Sequence, residues 1–176
     1  MQSADDGQSF GKLRDGLHAG RTLAGAGLLR PHRPDRVISA ARQIARWGQS
    51  TAGAYAAGAQ LRPGEPAVID DLGALTFAEV HERTNRLAAA LAEEGIGERN
   101  SVALMCRNHR GFVETVVALS KLGANTLLLN TGFAGPQLAD VVERENPSAV
   151  VYDQEFTNLV AGALHGRQGF VAWTTT

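Results

Sequence analysis

The stretch SVALMCRNHRGFVETVVALSKLGANTLLLN, residues 101–130, decides the fold. It begins with the strand-like run SVALM, passes through the polar loop CRNHRG into a helical segment that ends near Gly123, and continues into a second such run, NTLLL; the parts VALM and TLLL do not alternate between apolar and polar residues. Strands that are apolar at every position are typical of a parallel sheet covered on both faces. A helix between two such strands predicts a βαβ unit, in which Gly123 and Asn130 shape a turn and a strand end.

Residues before this stretch predict a hairpin and a helix. The runs PAVID and LTF flank the turn sequence DDLGA, so we expect Asp70 and Asp71 in a hairpin turn rather than as a catalytic carboxylate pair. Thr76 and Glu79 form a T-x-x-E capping box, which indicates the start of a helix, and Gly95 suits its end.

Residues after the stretch continue the alternation of helices and strands. Pro136 suits the first turn of a helix that ends before Pro147, SAVVY predicts a strand, QEFTNLVAGAL a final helix and GFVAW one more strand. We therefore predict the α/β class, with a mostly parallel sheet and flanking helices.

The first 62 residues differ from the rest in charge. They contain nine Lys/Arg and four Asp/Glu, whereas residues 63–176 contain eight and fourteen. Apolar residues at helical spacing predict one amphipathic helix over residues 35–60, which RPGEP ends. We expect a basic helical N-terminal extension, 1–62, followed by the α/β domain, 63–176.

Composition excludes several classes of protein. The chain has 176 residues, 44% of them hydrophobic, and a net charge of −1, as in a globular protein without a nucleic-acid partner. Cys106 is the single cysteine, which excludes an internal disulfide framework, and we expect it to be a small buried hydrophobe. The acidic N-terminus is unlike a secretory signal, and no segment has the length of a membrane span. We expect a cytoplasmic protein, with weak contact between the basic head and a membrane surface as an open alternative.

Polar residues gather in the loops that follow three of the predicted strands. They are Arg107, Asn108, His109, Arg110, Asn130, Thr131 and Asp153. In an open parallel sheet such loops line the ligand crevice, but polar residues there also cap helices and close turns, which we favour for each of them. The sequence has no G-x-x-x-x-G-K-[ST], no strand-linked G-x-G-x-x-G, no metal-ligand spacing among its five histidines and no G-x-S-x-G.

Four features together resemble a known family. They are LTFAEV at 75–80, NRLAAALAEEGI at 85–96, LSKLGANTLLLN at 119–130 and the spacing of Asn108 and Phe112. They resemble the N-terminal part of the adenylate-forming acyl-CoA synthetases, the AMP-binding superfamily that includes long-chain fatty-acid CoA ligases. The resemblance covers about residues 66–174, and the basic head is similar to an extension of some bacterial long-chain members. The sequence departs from the family at GERNSV, where relatives usually have Gly-Asp.

The resemblance implies an incomplete N-terminal part of the large domain of an enzyme that uses ATP and Mg²⁺ to convert a fatty acid to an acyl-adenylate and then transfers it to coenzyme A. The family's phosphate-binding loop is expected after the VVYD strand, and the sequence contains no match to it. We therefore expect no catalytic, cofactor-binding or metal-binding residue here. We expect an N-terminal fragment that is inactive alone and marginally stable, and that self-associates or needs a complementing C-terminal fragment. The alternative is a non-catalytic module that binds a partner or a membrane surface through its Arg-rich helix.

Overall fold

A computed structural model describes residues 33–174, so residues 1–32 of the predicted extension lie outside the described part. The described chain begins with two helices, α1 (Pro34–Trp47) and α2 (Thr51–Leu61). The prediction of one helix over residues 35–60 is therefore wrong. Gly48 breaks it with a left-handed φ of 67°, and the Ser50 hydroxyl caps α2 by accepting the N–H of Gly53 at 3.2 Å. The division of the chain at residue 62 stays a prediction.

The predicted hairpin and capping box are confirmed. Strands β1 (Pro66–Asp70) and β2 (Gly73–Thr76) pair antiparallel and lead into helix α3 (Phe77–Glu93). The Glu79 N–H donates to Thr76 Oγ1 at 3.2 Å, and the Thr76 N–H donates to the Glu79 carboxylate at 2.7 Å. The hydrogen bonds from Thr76 also hold the pKa of Glu79 below its ordinary value.

The main sheet has four parallel strands in the order β4-β3-β5-β6. The strands are β3 (Ser101–Met105), β4 (Asn125–Leu128), β5 (Ala149–Asp153) and β6 (Gln168–Trp173). The connecting helices are α4 (Arg110–Leu122), α5 (Gly135–Glu145) and α6 (Thr157–Ala161). The α/β class and the parallel sheet are as the sequence predicts. The last helix is shorter than predicted, because residues Gln154–Phe156 form a 3₁₀ turn before it.

The core lies on both faces of this sheet. Val102 and Leu104 of β3 pack in one cluster with residues of α3 and α4, while Ala103 and Met105 pack in a second cluster with residues of α5 and α6. Successive side chains of a strand point to opposite faces. Burial on both faces is therefore the reason that β3 and β5 are apolar along their length. No helix within residues 33–174 is long and apolar enough to cross a membrane.

Candidate functional site

The loops that follow β3 and β5 meet, because these two strands are neighbours in the sheet. Together with the β1–β2 hairpin and the end of β6 they line a cleft of about 440 Å³. The cleft lies at the carboxyl ends of the strands, where parallel α/β sheets usually bind ligands. Arg107, Asn108, His109 and Asp153, all predicted as candidates, line it.

His109 connects three elements at the floor of this cleft. Its Nδ1 accepts the N–H of Gly111 at 3.0 Å and so caps α4. Its Nε2 lies 2.9 Å from Asp153 Oδ1 at the end of β5. Because Nδ1 accepts a hydrogen bond, we assign the proton to Nε2, which donates to Asp153. The imidazole also stacks on the Trp173 ring at the end of β6, with centroids 4.6 Å apart.

We call the contacts of His109 with Asp153 and Trp173, together with the Asp70–Arg110 pair described below, the His109 joint. Asp153 takes part in it from the end of β5. Its side chain is 4% exposed, and its second carboxylate oxygen accepts the N–H of Arg107 at 2.6 Å. The adjacent Cys106 is buried, as predicted. Burial, and secondly the charge of Asp153, raise the pKa of the Cys106 thiol, which keeps it protonated and unreactive at neutral pH.

Arg110 joins the hairpin to the start of α4. Its guanidinium donates to both carboxylate oxygens of Asp70, with Nε 2.8 Å from Oδ2, and its backbone N–H donates to Oδ2 at 2.9 Å. The two side chains are only 12% and 7% exposed. The Arg110 guanidinium holds the pKa of Asp70 well below its usual range. Asp70 thus borders the hairpin turn, as the sequence predicts, and also forms an ion pair that the sequence does not predict.

The other candidates have local roles. The Arg107 guanidinium pairs with the carboxylate of Glu155 through two contacts of 2.9 Å on the surface. Asn130 and Thr131 follow β4, on the far side of β3 from β5, and take no part in the His109 joint. The Asn130 side chain accepts the N–H of Gly132 at 2.8 Å and so closes a turn two residues beyond the end of β4. The interpretation of these residues as caps and turn-formers is the one that the geometry supports.

The hydrogen bonding of the cleft limits its chemistry. A general base or a metal ligand needs a nitrogen or oxygen that is free to take a proton or an ion. Both ring nitrogens of His109 are engaged, Asp153 accepts two N–H groups, and Asp70 is enclosed by Arg110. Within residues 33–174 there is no group of His, Cys, Asp and Glu side chains placed to hold a metal ion. In this arrangement the polar groups of the cleft bind one another and link the hairpin, α4, β5 and β6.

Three residues that line this cleft were not predicted to pair with the candidate residues. Asp70, Glu155 and Trp173 lie in segments that are identifiable only as a turn, a helix and a strand. Their partners are 40 and more residues away in the chain or across the sheet. No local spacing signals such pairs. Only the order of strands in the sheet brings them together.

Known proteins are similar to this chain in both sequence and fold. Residues 55–170 match the family model described as "AMP-binding enzyme". A medium/long-chain-fatty-acid–CoA/3-oxocholest-4-en-26-oate–CoA ligase of Mycobacterium marinum (strain ATCC BAA-535 / M) is 30% identical over 90 residues, which are 51% of this chain and 16% of the ligase.

Two solved structures are similar to the model. A putative long-chain-fatty-acid CoA ligase from Rhodopseudomonas palustris CGA009 has 29% identity and a TM-score of 0.63 over 71% of this chain and 32% of its own. O-succinylbenzoate coenzyme A synthetase from Bacillus subtilis, in complex with ATP and magnesium ion, has 25% identity and a TM-score of 0.62 over 67% and 32%. The chain thus spans about a third of these solved chains. Because the family model matches more than half of its residues, the chain belongs to the AMP-binding family of adenylate-forming enzymes.

Proposed function

We propose that this chain is the N-terminal part of the large domain of a ligase that converts a carboxylic acid to an acyl-adenylate and transfers it to coenzyme A. The observation that carries this proposal is the match of residues 55–170 to the AMP-binding family model. We further propose fatty acids as the substrate class. The names of the Mycobacterium marinum and Rhodopseudomonas palustris relatives support this class.

Within such a ligase we assign these residues the role of a scaffold. ATP and Mg²⁺ are ligands of the Bacillus subtilis relative, but they do not fit the His109 joint as it stands, because the carboxylates of Asp70 and Asp153 already accept hydrogen bonds from Arg110, Arg107 and His109. A magnesium ion bound to Asp70 would also lie beside the Arg110 guanidinium, whose positive charge opposes a cation there. We therefore place the catalytic and ATP-binding residues in the part of the relatives that this chain does not span.

The unpaired edge of the sheet at β6 supports the proposal that this chain depends on further protein to cover it. Among residues 33–174, β6 pairs only with β5, so its other edge has unpaired backbone groups. Val171 of this strand is 47% exposed. Beside it, an open groove of about 560 Å³ runs between α3 and β6, and Leu87, Leu91 and Phe170 line it. An unpaired apolar edge strand pairs readily with another segment. We propose that the remainder of the large domain packs here, in the same or in a second polypeptide.

ATP–pyrophosphate exchange with a series of fatty acids tests the proposal. The chain alone should give no exchange above the protein-free blank, because it contributes no nucleotide-binding residue. A chimera in which residues 63–174 replace the matching segment of the Rhodopseudomonas palustris ligase should fold and retain exchange, with the acyl preference of that ligase.

Two controls make the result decisive. The unmodified ligase sets the full rate, and a version of the ligase that lacks the matching segment should be inactive. Exchange by the chain alone, in proportion to its concentration, would refute the scaffold role. A folded chimera without exchange would refute the assignment of these residues to the ligase domain.

A further inference from the structure

Within residues 33–174, the most apolar side of helix α1 faces away from the rest of the fold. Val37, Ala41 and Ile44 lie at the spacing i, i+4, i+7, and Ile38 and Ala45 lie beside them. Val37, Ile38 and Ile44 are 48%, 53% and 38% exposed. Isolated exposed apolar residues are common on protein surfaces, but a continuous row on one helix is the form that an interaction surface takes.

A different side of the same helix faces the rest of the fold. Ala40 is buried, and Gln43 and Trp47, at the spacing i+3 and i+7 from it, are half-buried. The Trp47 indole N–H donates to Gln43 Oε1 at 3.3 Å, and both side chains line a cleft that α3 and α4 also border. Helix α1 thus packs on the fold through its less apolar side, although an amphipathic helix normally buries its most apolar one.

The charges on α1 indicate what covers the exposed row. Arg42 follows Ile38 at i+4 and so borders the row along one side, whereas the Arg46 guanidinium lies 4.9 Å from the centroid of the Trp47 ring and lines the cleft with it. The helix contains three arginines and one acidic residue, Asp35. Two copies of this helix placed face to face would bring their arginines together, which opposes self-pairing. An anionic membrane, which has an apolar interior and negatively charged headgroups, complements both the apolar row and the arginine beside it.

We propose that α1 docks on anionic membrane surfaces, with Val37, Ile38, Ala41, Ile44 and Ala45 in the headgroup region and Arg42 against lipid phosphate or carboxylate groups. The helix lies in the plane of the membrane and does not span it, as its 14 residues and its charged border require. This inference goes beyond the proposed ligase scaffold and does not rest on it.

Co-sedimentation of the full chain with lipid vesicles tests the proposal. We expect binding to vesicles of phosphatidylcholine with phosphatidylserine, weakening with added salt, and much weaker binding to phosphatidylcholine alone. Ile38→Glu and Arg42→Glu should each lower the partition coefficient by roughly tenfold or more, since each weakens one of the two attractions.

Matched controls carry the same changes elsewhere on the surface. Leu128→Glu replaces another apolar side chain that is 59% exposed, and Arg99→Glu reverses another exposed charge; both should stay within about twofold of the unmodified chain. Far-UV circular dichroism checks that each variant is folded. Equal partitioning of the unmodified chain and Ile38→Glu, or no binding at all, would overturn the proposal. Loss of a dimer in sedimentation velocity on Ile38→Glu, without vesicle binding, would overturn it in favour of a second copy of the chain.

Discussion

Lys121 is an ammonium group buried without a carboxylate among its hydrogen-bond partners in the described chain. Its Nζ donates to Thr84 Oγ1 and Asn85 Oδ1, each at 2.7 Å, and to the His81 carbonyl at 3.1 Å. These contacts join α4 to α3. Burial lowers the pKa of Lys121 to about 8. The residue belongs to the stretch LSKLGANTLLLN, so a part of the sequence that resembles a family signature serves here to hold two helices together.

The lowered pKa of Lys121 gives the stability a definite dependence on pH. The unfolded lysine keeps its proton up to about pH 10.5, whereas the folded one loses it near 8, so the unfolded state binds more protons between these values. The contribution of Lys121 to the free energy of unfolding therefore increases as pH rises through this window. From pH 7.5 to 9.5 we expect the stability of the unmodified chain, relative to Lys121→Met, to increase by about 1–2 kcal/mol.

Urea unfolding at the two pH values measures this difference. Ser120→Ala, a neighbouring change without a titratable group, is the control, and its stability should run parallel to that of the unmodified chain. If the free energy of unfolding of Lys121→Met also changes with pH in parallel with that of the unmodified chain, Lys121 titrates as an ordinary exposed lysine.

At the scale of the elements, the Asp70–Arg110 pair holds the hairpin against α4. Since Arg110 lowers the pKa of Asp70, this contribution to stability is present above the unfolded pKa near 3.8 and is lost as the pH falls below it. Asp70→Asn should lower the free energy of unfolding at pH 7 by about 1–3 kcal/mol, because it leaves a largely buried guanidinium without its charged partner. The deficit should shrink below pH 4. Chemical unfolding at pH 7 and pH 3 checks this, and an unchanged deficit at pH 3 would contradict the ionic origin.

Gly58 allows α2 to lie close to the first residue of α3. A Cβ at this position would come within 2.4 Å of the Phe77 ring. Gly58→Ala should therefore destabilise the fold by about 1–3 kcal/mol, despite the better helix propensity of alanine. Gly64→Ala, where a Cβ would meet no atom within 4 Å, is the matched control and should be nearly neutral in thermal unfolding. Equal melting temperatures for the two variants would show that α2 does not dock on α3 as described.

Local signals explain which elements the sequence could predict. The capping box at Thr76 and the left-handed Gly123, with φ 70°, lie within a few residues of the features that they determine. The break between α1 and α2 was missed, because Gly48 continues the apolar spacing and Ser50 caps without the glutamate of a capping box. The pairs His109–Asp153 and Asp70–Arg110 join residues 44 and 40 positions apart. The position of these loops at one edge of the sheet could be predicted from the sequence, but the pairing of their side chains could not.

At the scale of the whole molecule, we expect the chain to depend on a segment that covers β6, whose outer edge is unpaired within residues 33–174, and the groove beside it. Each large apolar side chain left uncovered forfeits roughly 1.5–3 kcal/mol of burial, which is a large share of a domain's net stability of about 5–15 kcal/mol. We expect marginal stability and self-association of the isolated chain.

Thermal unfolding at several protein concentrations tests this dependence. The apparent melting temperature should change with concentration, and Val171→Lys, which places a charge on the edge strand, should weaken the self-association seen in light scattering. Arg99→Lys is a control that leaves the edge unchanged. A sharp two-state transition of a monomer, independent of concentration, would contradict the expectation.

The scaffold role requires that the carboxyl-end cleft holds no nucleotide by itself, because its polar groups bind one another. Titration of the isolated chain with ATP and Mg²⁺ in a calorimeter is the most direct measurement of this requirement. We expect no saturable heat, both for the unmodified chain and for His109→Gln. Saturable ATP binding that His109→Gln abolishes in a folded chain would show that the cleft is a nucleotide site and that the scaffold role is wrong.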